Sequence, residues 1–176
     1  MNLWALPLLL LLAGCGCSTV PTHDALRATA LRIDFATGLC SGTAIGPDTL
    51  WTAKHCLESG GEITRINGTP VKQAFVRELS KDRVSVRVTG ITFKHFAKIG
   101  PPAVQGQRIR WFGNPAGNPD VYREGYVARV RGGEVVIVAI VCKGDSGSGL
   151  LDDQGRVVGI VSAMTSATGC NFGLSL

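Results

Sequence analysis

The chain has 176 residues, of which 45% are hydrophobic and 18% charged, so it is long enough for one well-buried domain, too short for a large multidomain enzyme and too apolar to be disordered. The formal net charge is +5, but Lys and Arg are spread along the chain without a basic cluster, which gives no support for nucleic-acid binding. With 23 glycines, 8 prolines and short alternating runs of Val, Ile and Thr, the composition favours an all-β domain of many short strands.

The N-terminus carries an apolar run from Leu3 to Gly14, directly followed by Cys15. The run is too short to span a bilayer and has the length of the apolar region of an export signal. Its end, Leu12-Ala13-Gly14-Cys15, resembles the lipobox of bacterial lipoproteins, in which the cysteine becomes the lipid-bearing N-terminus after cleavage. We therefore predict a signal peptide over residues 1–14 and a lipid anchor on Cys15, at a membrane surface on the periplasmic or cell-surface side. The alternative is an ordinary signal peptide with an incidental cysteine.

The other five cysteines are interpreted in the light of that export signal. Because exported proteins fold in an oxidising compartment, four of them are predicted to form two disulfides: Cys40, Cys56, Cys142 and Cys170. The residues alone leave all three possible pairings open. No Cys-x-x-Cys or His-x-x-x-His spacing is present, so no metal site and no cofactor is predicted. Cys17 has no obvious partner and lies in a polar segment over residues 15–28, which we interpret as a tether.

From residue 29 onward, alternating apolar residues predict antiparallel strands separated by turns. The strands predicted in the first half span residues 31–35, 39–45, 50–52, 62–66, 71–79 and 84–88. The pattern weakens between residues 90 and 106, where Pro101 and Pro102 break it, and we interpret this stretch as the connection between two halves, with His95 as a surface or packing residue. The strands predicted in the second half span residues 108–112, 122–131, 134–141, 156–163 and 171–176.

The most informative motif is Gly144-Asp145-Ser146-Gly147. A serine in a sharp turn between glycines exposes its hydroxyl and gathers backbone N–H groups beside it, as nucleophilic acyl transfer requires. Such a serine needs a base, and the candidate is His55 in Thr52-Ala53-Lys54-His55-Cys56, because an imidazole can take up and return a proton near neutral pH.

At these motifs, together with Ser41-Gly42-Thr43-Ala44-Ile45 upstream, the chain resembles the chymotrypsin-like (trypsin-like) serine peptidases of bacteria. The resemblance implies two packed six-stranded antiparallel β-barrels, over about residues 29–95 and 104–176, with the active site in the cleft between them. It also implies disulfides Cys40–Cys56 and Cys142–Cys170, of which the first would contribute about 3 kcal/mol by loop closure.

The resemblance further implies a role for each site residue. Ser146 would be the nucleophile and His55 the general base, while the backbone N–H groups of Gly144 and Ser146 would form the oxyanion hole. Asp82 is the best match for the aspartate that orients the histidine, and Asp120 is a weaker candidate. Asp145 must find a partner other than a newly cut N-terminus, because no activation site is visible in the sequence.

By family position, Ile140 would lie at the base of the substrate pocket, and its wall would consist of Ser162, Ala163 and Met164. Such an apolar pocket disfavours Lys and Arg and favours small or medium apolar side chains. The sequence thus predicts a membrane-tethered serine endopeptidase acting on protein or peptide substrates. The alternative is a catalytically silent, lipid-anchored binding or adaptor module on the same fold, because the chain is short for two complete barrels.

Overall fold

The protein is described by a computed structural model that covers residues 20–167 and 170–175, except for the side chains of residues 164–167 and 170–172. The predicted signal peptide, Cys15 and Cys17 lie outside the described residues. The first half contains helix α1 (His23–Arg27), strands β1 (Ala30–Phe35), β2 (Gly38–Ala44) and β3 (Thr49–Ala53), helix α2 (Lys54–Gly60), and strands β4 (Ile63–Ile66), β5 (Thr69–Pro70), β6 (Gln73–Glu78) and β7 (Arg83–Thr89). The second half contains β8 (Arg108–Gly113), a 3₁₀ turn (Pro115–Gly117), β9 (Val121–Arg131), β10 (Glu134–Val138), β11 (Gly149–Leu151), β12 (Val157–Ile160), β13 (Ala163–Ala167) and β14 (Cys170–Ser175).

The strands form two curled antiparallel sheets, a half-barrel and a near-barrel. The strand order is β5-β4-β1-β2-β3-β7-β6 in the first sheet and β12-β11-β8-β9-β10-β14-β13 in the second. The predicted all-β, chymotrypsin-like fold is thereby confirmed. The described strands number seven in each sheet rather than the six expected for each barrel.

Alternating side chains explain why these segments form half-buried strands. In β1, Leu31, Ile33 and Phe35 point into the core while the residues between them are partly exposed. The core of the first sheet extends onto Phe112 and Ile160 of the second, so the two sheets share part of their hydrophobic interior. This packing fixes the relative position of the side chains that the two sheets contribute to the cleft.

Several predicted strand boundaries were wrong. The segment 156–163 is split, because β12 ends at Ile160 and β13 begins at Ala163. Strand β10 ends at Val138 rather than at residue 141, and the short strand β11 was not predicted. An alternating pattern needs about four residues to be visible, which explains why a three-residue strand following a glycine-rich loop escaped detection.

The segment interpreted as a tether contains the short helix α1. Its first turn is capped by Thr22, whose Oγ1 accepts the N–H of Ala25 at 3.2 Å, and Leu26 is buried in the core. His23, for which the polar sequence around it predicts a solvated side chain, instead stacks on Tyr122 with ring centroids 4.3 Å apart. The end of the predicted tether therefore packs against the folded domain. In the part of the chain that is described, no helix has the length and apolarity needed to cross a membrane.

Candidate active site

His55 lies in the first turn of α2, directly after β3. The backbone of this turn is fixed by Asp82, whose carbonyl oxygen accepts the N–H of Lys54 at 2.8 Å and whose Oδ1 accepts the N–H of His55 at 3.0 Å. Asp82 precedes β7, which pairs with β3 in the first sheet. Sheet pairing thus brings together two residues that are 27 positions apart in the sequence.

The structure brings His55, Asp82 and Ser146 into a single hydrogen-bonded row. His55 Nε2 is 3.0 Å from Ser146 Oγ, and His55 Nδ1 is 2.9 Å from Asp82 Oδ2. The aspartate and histidine come from the first sheet, whereas the serine comes from the loop before β11 in the second. Asp120, the weaker aspartate candidate, is exposed in the turn before β9.

The carboxylate of Asp82 is held in its ionised form. Burial by itself raises its pKa, but hydrogen bonds from the Ser162 hydroxyl, the His55 backbone N–H and the His55 ring outweigh burial and lower the pKa below its ordinary value. Sequence reasoning assigned Ser162 to the pocket wall only. Its hydroxyl also donates to Asp82 Oδ2, a contact that no sequence pattern revealed.

The loop that carries Ser146 is fastened through its backbone both to the first sheet and to the segment that follows β12 of the second. The N–H of Ser41 donates to the carbonyl of Ser146 at 2.8 Å, and the N–H of Gly147 donates to the carbonyl of Val161 at 2.7 Å. Gly147 has a φ of +88°, and a Cβ atom there would collide with the carbonyl of Ser41. Only glycine allows this close approach of the two sheets beside the serine.

The two backbone N–H groups predicted to form the oxyanion hole lie on either side of Asp145. Among the described residues, neither the N–H of Gly144 nor that of Ser146 donates a hydrogen bond within the chain. The carbonyls of the same two peptide units are bound, that of Lys143 by the N–H of Ala116 at 2.7 Å and that of Asp145 by the N–H of Ser148 at 2.9 Å. Because N–H and C=O point in opposite directions across a trans peptide, both donors remain available.

The partner of Asp145, which the sequence left unidentified, is Arg123 on β9. Arg123 Nε is 3.2 Å from Asp145 Oδ2, and the same oxygen accepts the N–H of Cys142 at 2.9 Å. The aspartate side chain is completely buried, and burial raises its pKa above the ordinary value despite these two interactions. Sequence reasoning missed Arg123, because nothing along the chain distinguishes it from the other arginines of β9.

A cleft of about 280 Å³ opens beside the serine and the histidine. Its lining includes Val141, Lys143, Ser162 and Ala163, two of which were predicted. Ile140, predicted at the base of the pocket, does not lie there. Its side chain is 70% exposed, whereas Val141 is 9% exposed and lines the cleft. β10 ends at Val138, and the irregular segment that follows it turns Val141 rather than Ile140 into the cleft. The side chain of Met164 lies outside the described residues.

Of the two implied disulfides, Cys40–Cys56 is present and connects β2 to the helix that carries His55. Among the described residues Cys142 forms no disulfide. The side chain of Cys170, its implied partner, is not among them, so this second pairing stays a prediction.

A serine and a histidine line a cleft beside two curled antiparallel sheets, and an aspartate is hydrogen-bonded to the histidine on its other side. This arrangement defines the class of chymotrypsin-like peptidases. Residues 40–160 match the family described as the trypsin-like peptidase domain, and the chain belongs to this family.

Comparison with solved structures agrees with this assignment. The chain is similar to the active form of the Rv3671c protease from M. tuberculosis, with a TM-score of 0.73 and 21% identity over 89% of this chain and 79% of that one. It is also similar to an inactive serine-to-alanine mutant of Rv3671c, with a TM-score of 0.72 and 21% identity over 90% of this chain and 85% of that one. At this level of identity the likeness shows the fold. A search of curated proteins finds no significant sequence match.

Proposed function

We propose that the protein is a serine endopeptidase that hydrolyses peptide bonds through Ser146, His55 and Asp82. The observation that carries this proposal is the distance of 3.0 Å between His55 Nε2 and Ser146 Oγ, with His55 Nδ1 bound to a carboxylate on its other side. A base in hydrogen-bond contact with a hydroxyl, and itself oriented by a third group, is the arrangement that activates a serine.

In the proposed reaction, Ser146 Oγ attacks the carbonyl carbon of the substrate while its proton moves to His55 Nε2. The N–H groups of Gly144 and Ser146 stabilise the negative charge that develops on the carbonyl oxygen. His55 then transfers the proton to the departing amine, and water hydrolyses the acyl enzyme by the same route. Asp82 remains ionised throughout, holds the proton on Nδ1 and stabilises the imidazolium.

The proposal is tested with a fluorophosphonate probe and an internally quenched peptide blocked at both ends. We expect the probe to modify Ser146, located by peptide mass spectrometry, and the blocked peptide to be cleaved in its interior. Because the serine depends on its base, His55→Ala should abolish labelling, whereas His95→Ala, which replaces an exposed histidine outside the cleft, should leave it unchanged. If the folded, oxidised protein is not labelled, the proposal is wrong and the adaptor alternative is favoured.

The cleft supports a preference for apolar residues on the N-terminal side of the cleaved bond. Val141 and Ala163 are apolar, no carboxylate lies among the described lining residues, and Lys143 adds a positive charge. We therefore expect kcat/KM for a norleucine peptide ester to exceed that for the lysine ester of equal length by about 100-fold or more, because an ammonium group would be desolvated without a partner. Equal or faster hydrolysis of the lysine ester would contradict this preference.

We further propose that the protein is anchored to a membrane outside the cytoplasm by a lipid on Cys15. The support is Leu12-Ala13-Gly14-Cys15 at the end of an apolar run of signal-peptide length. We expect the protein expressed in bacteria to incorporate a labelled fatty acid, and Cys15→Ser to prevent this, with Cys17→Ser as the matched control. Incorporation that persists in Cys15→Ser would overturn the assignment.

A further inference from the structure

A buried polar network joins the two sheets directly behind the candidate oxyanion hole. Its members are Ser41 on β2 of the first sheet, which is fully buried, and Asn114 after β8 of the second, which is 4% exposed. Ser41 Oγ accepts hydrogen bonds from the backbone N–H of Asn114 at 3.1 Å and from its Nδ2 at 2.8 Å. The same hydroxyl donates to the carbonyl of Gly144 at 2.7 Å, so its single proton and both lone pairs are used.

Asn114 is also the residue directly before the 3₁₀ turn Pro115–Gly117, which contacts the serine loop. The second residue of this turn, Ala116, donates its N–H to the carbonyl of Lys143 at 2.7 Å. Ala116 has φ +50° and ψ +28°, a left-handed conformation that costs an alanine about 1–2 kcal/mol. Such a conformation persists only where the surroundings impose it, and here Asn114 anchors the turn through Ser41 and through the carbonyl of Leu31, 3.3 Å from its Nδ2.

The two anchored carbonyls determine how Gly144 is oriented. The carbonyl of Lys143 belongs to the peptide unit that carries the N–H of Gly144, and the carbonyl of Gly144 belongs to the next unit. With both carbonyls turned toward Ala116 and Ser41, the N–H of Gly144 is directed away from them. Gly144 has a φ of +99°, and a Cβ atom there would collide with the carbonyl of Asn114, so this orientation requires a glycine.

We propose that Asn114 and Ser41 are positioning residues that hold the N–H of Gly144 in the direction needed to bind the oxyanion. This inference rests on the proposed function, since it assigns a catalytic use to that N–H. Neither side chain touches the substrate; both act through the two peptide units around Gly144. The interior of the sheet–sheet contact thus contributes to transition-state stabilisation, in addition to holding the sheets together.

The test compares Asn114→Ala and Ser41→Ala with the wild-type chain on a peptide ester. Because the oxyanion donor is misdirected rather than removed, we expect kcat to fall about 10- to 100-fold, with little change in KM and in the pH of half-maximal activity. A peptide aldehyde provides the second measurement. The Ser146 hydroxyl adds across its C=O bond, and the resulting hemiacetal oxygen occupies the oxyanion hole. The affinity of both variants for the aldehyde should therefore fall by the same factor as kcat. Their affinity for the corresponding alcohol, which forms no such adduct, should not change.

Thr43→Val is the matched control. Thr43 lies on the same strand as Ser41, is buried, and accepts the N–H of Gly149 at 2.6 Å, but its hydroxyl does not contact the peptide units around Gly144. This variant should lower the unfolding temperature and leave kcat and the aldehyde affinity of the folded fraction unchanged. The folded fraction of every variant is measured by tryptophan circular dichroism, and kcat is expressed per folded molecule.

The outcomes separate this inference from the function on which it rests. A wild-type chain that is neither labelled at Ser146 nor active overturns both. If the wild type is active and both alanine variants keep the wild-type kcat and aldehyde affinity, only the positioning role is overturned. The same result follows if Thr43→Val loses activity as strongly as the other two, because the network would then have only a structural role.

Discussion

Asp82→Asn should lower kcat for a peptide ester by about 10⁴-fold while leaving the fold intact. The carboxylate receives the Nδ1–H of His55, the backbone N–H of the same residue and the Ser162 hydroxyl. An asparagine can present its amide group to Nδ1 as a donor, which favours the imidazole tautomer with its proton on Nε2. That tautomer cannot accept the proton of Ser146 Oγ, so the serine loses its base.

The matched control is Asp120→Asn, at the other aspartate considered between His55 and Ser146. Asp120 is exposed and has a φ of +57°, a conformation that asparagine tolerates well, so this variant should retain wild-type kcat and stability. Steady-state kinetics on both variants decide the assignment. A loss below about 10-fold in Asp82→Asn, or an equal loss in Asp120→Asn, would contradict the role of Asp82 as the orienting residue.

The pH dependence of stability gives an independent check on Asp82. Its pKa in the folded chain lies below the ordinary value of 3.8, so the folded state binds this proton more weakly than the unfolded state does. The stabilisation from its hydrogen bonds is therefore present above the ordinary pKa and is lost as the pH falls through the lowered one. We expect the unfolding free energy of Asp82→Asn to depend less on pH in this acid range than that of the wild type.

The sequence sufficed for those parts of the fold and site that have a local signature. Alternation identified strands such as β1 and β7, because each has one buried face, and Gly-x-Ser-Gly identified the serine loop because its turn requires glycines. His55 was the candidate base on chemical grounds, and the family resemblance then supplied Asp82. In the structure the ring of His55 contacts Asp82 on one side and Ser146 on the other.

The residues that the sequence did not identify are those whose partners are set only by tertiary packing. No local pattern marks Arg123, and the turn motif around Asn114 does not indicate its partner. Their contacts with Asp145 and Ser41 form only when separate strands and loops meet. Ile140 was misplaced for a related reason. It was assigned by its position in the family relative to Ser146, whereas β10 ends at Val138 and the segment after it turns Val141 into the cleft.

Arg123→Met should lower the unfolding free energy at pH 7 by about 3–5 kcal/mol, because it leaves the carboxylate of Asp145 buried without its cation. The Arg123 side chain is 15% exposed and that of Asp145 fully buried, so solvent cannot replace the lost partner. The exposed pair Arg108–Glu124 is the matched control. Arg108→Met should leave the unfolding free energy close to that of the wild type, since both groups of this pair remain hydrated.

The loss in Arg123→Met should shrink on acidification, whereas the loss of a simple packing contact would not. Burial already raises the pKa of Asp145 in the folded chain, and removing Arg123 takes away an interaction that lowers it, so the pKa rises further. The folded state then binds the proton more tightly than the unfolded state. Stability therefore falls as the pH increases from the ordinary pKa of 3.8 to the raised pKa, and it stays low above that.

Urea unfolding across this pH range measures the effect. The double variant Arg123→Met/Asp145→Asn should recover most of the stability at pH 7 and lose the pH dependence, because it no longer buries a charge. A deficit that is independent of pH, or that persists in the double variant, would show that Arg123 stabilises the serine loop by packing rather than by neutralising Asp145.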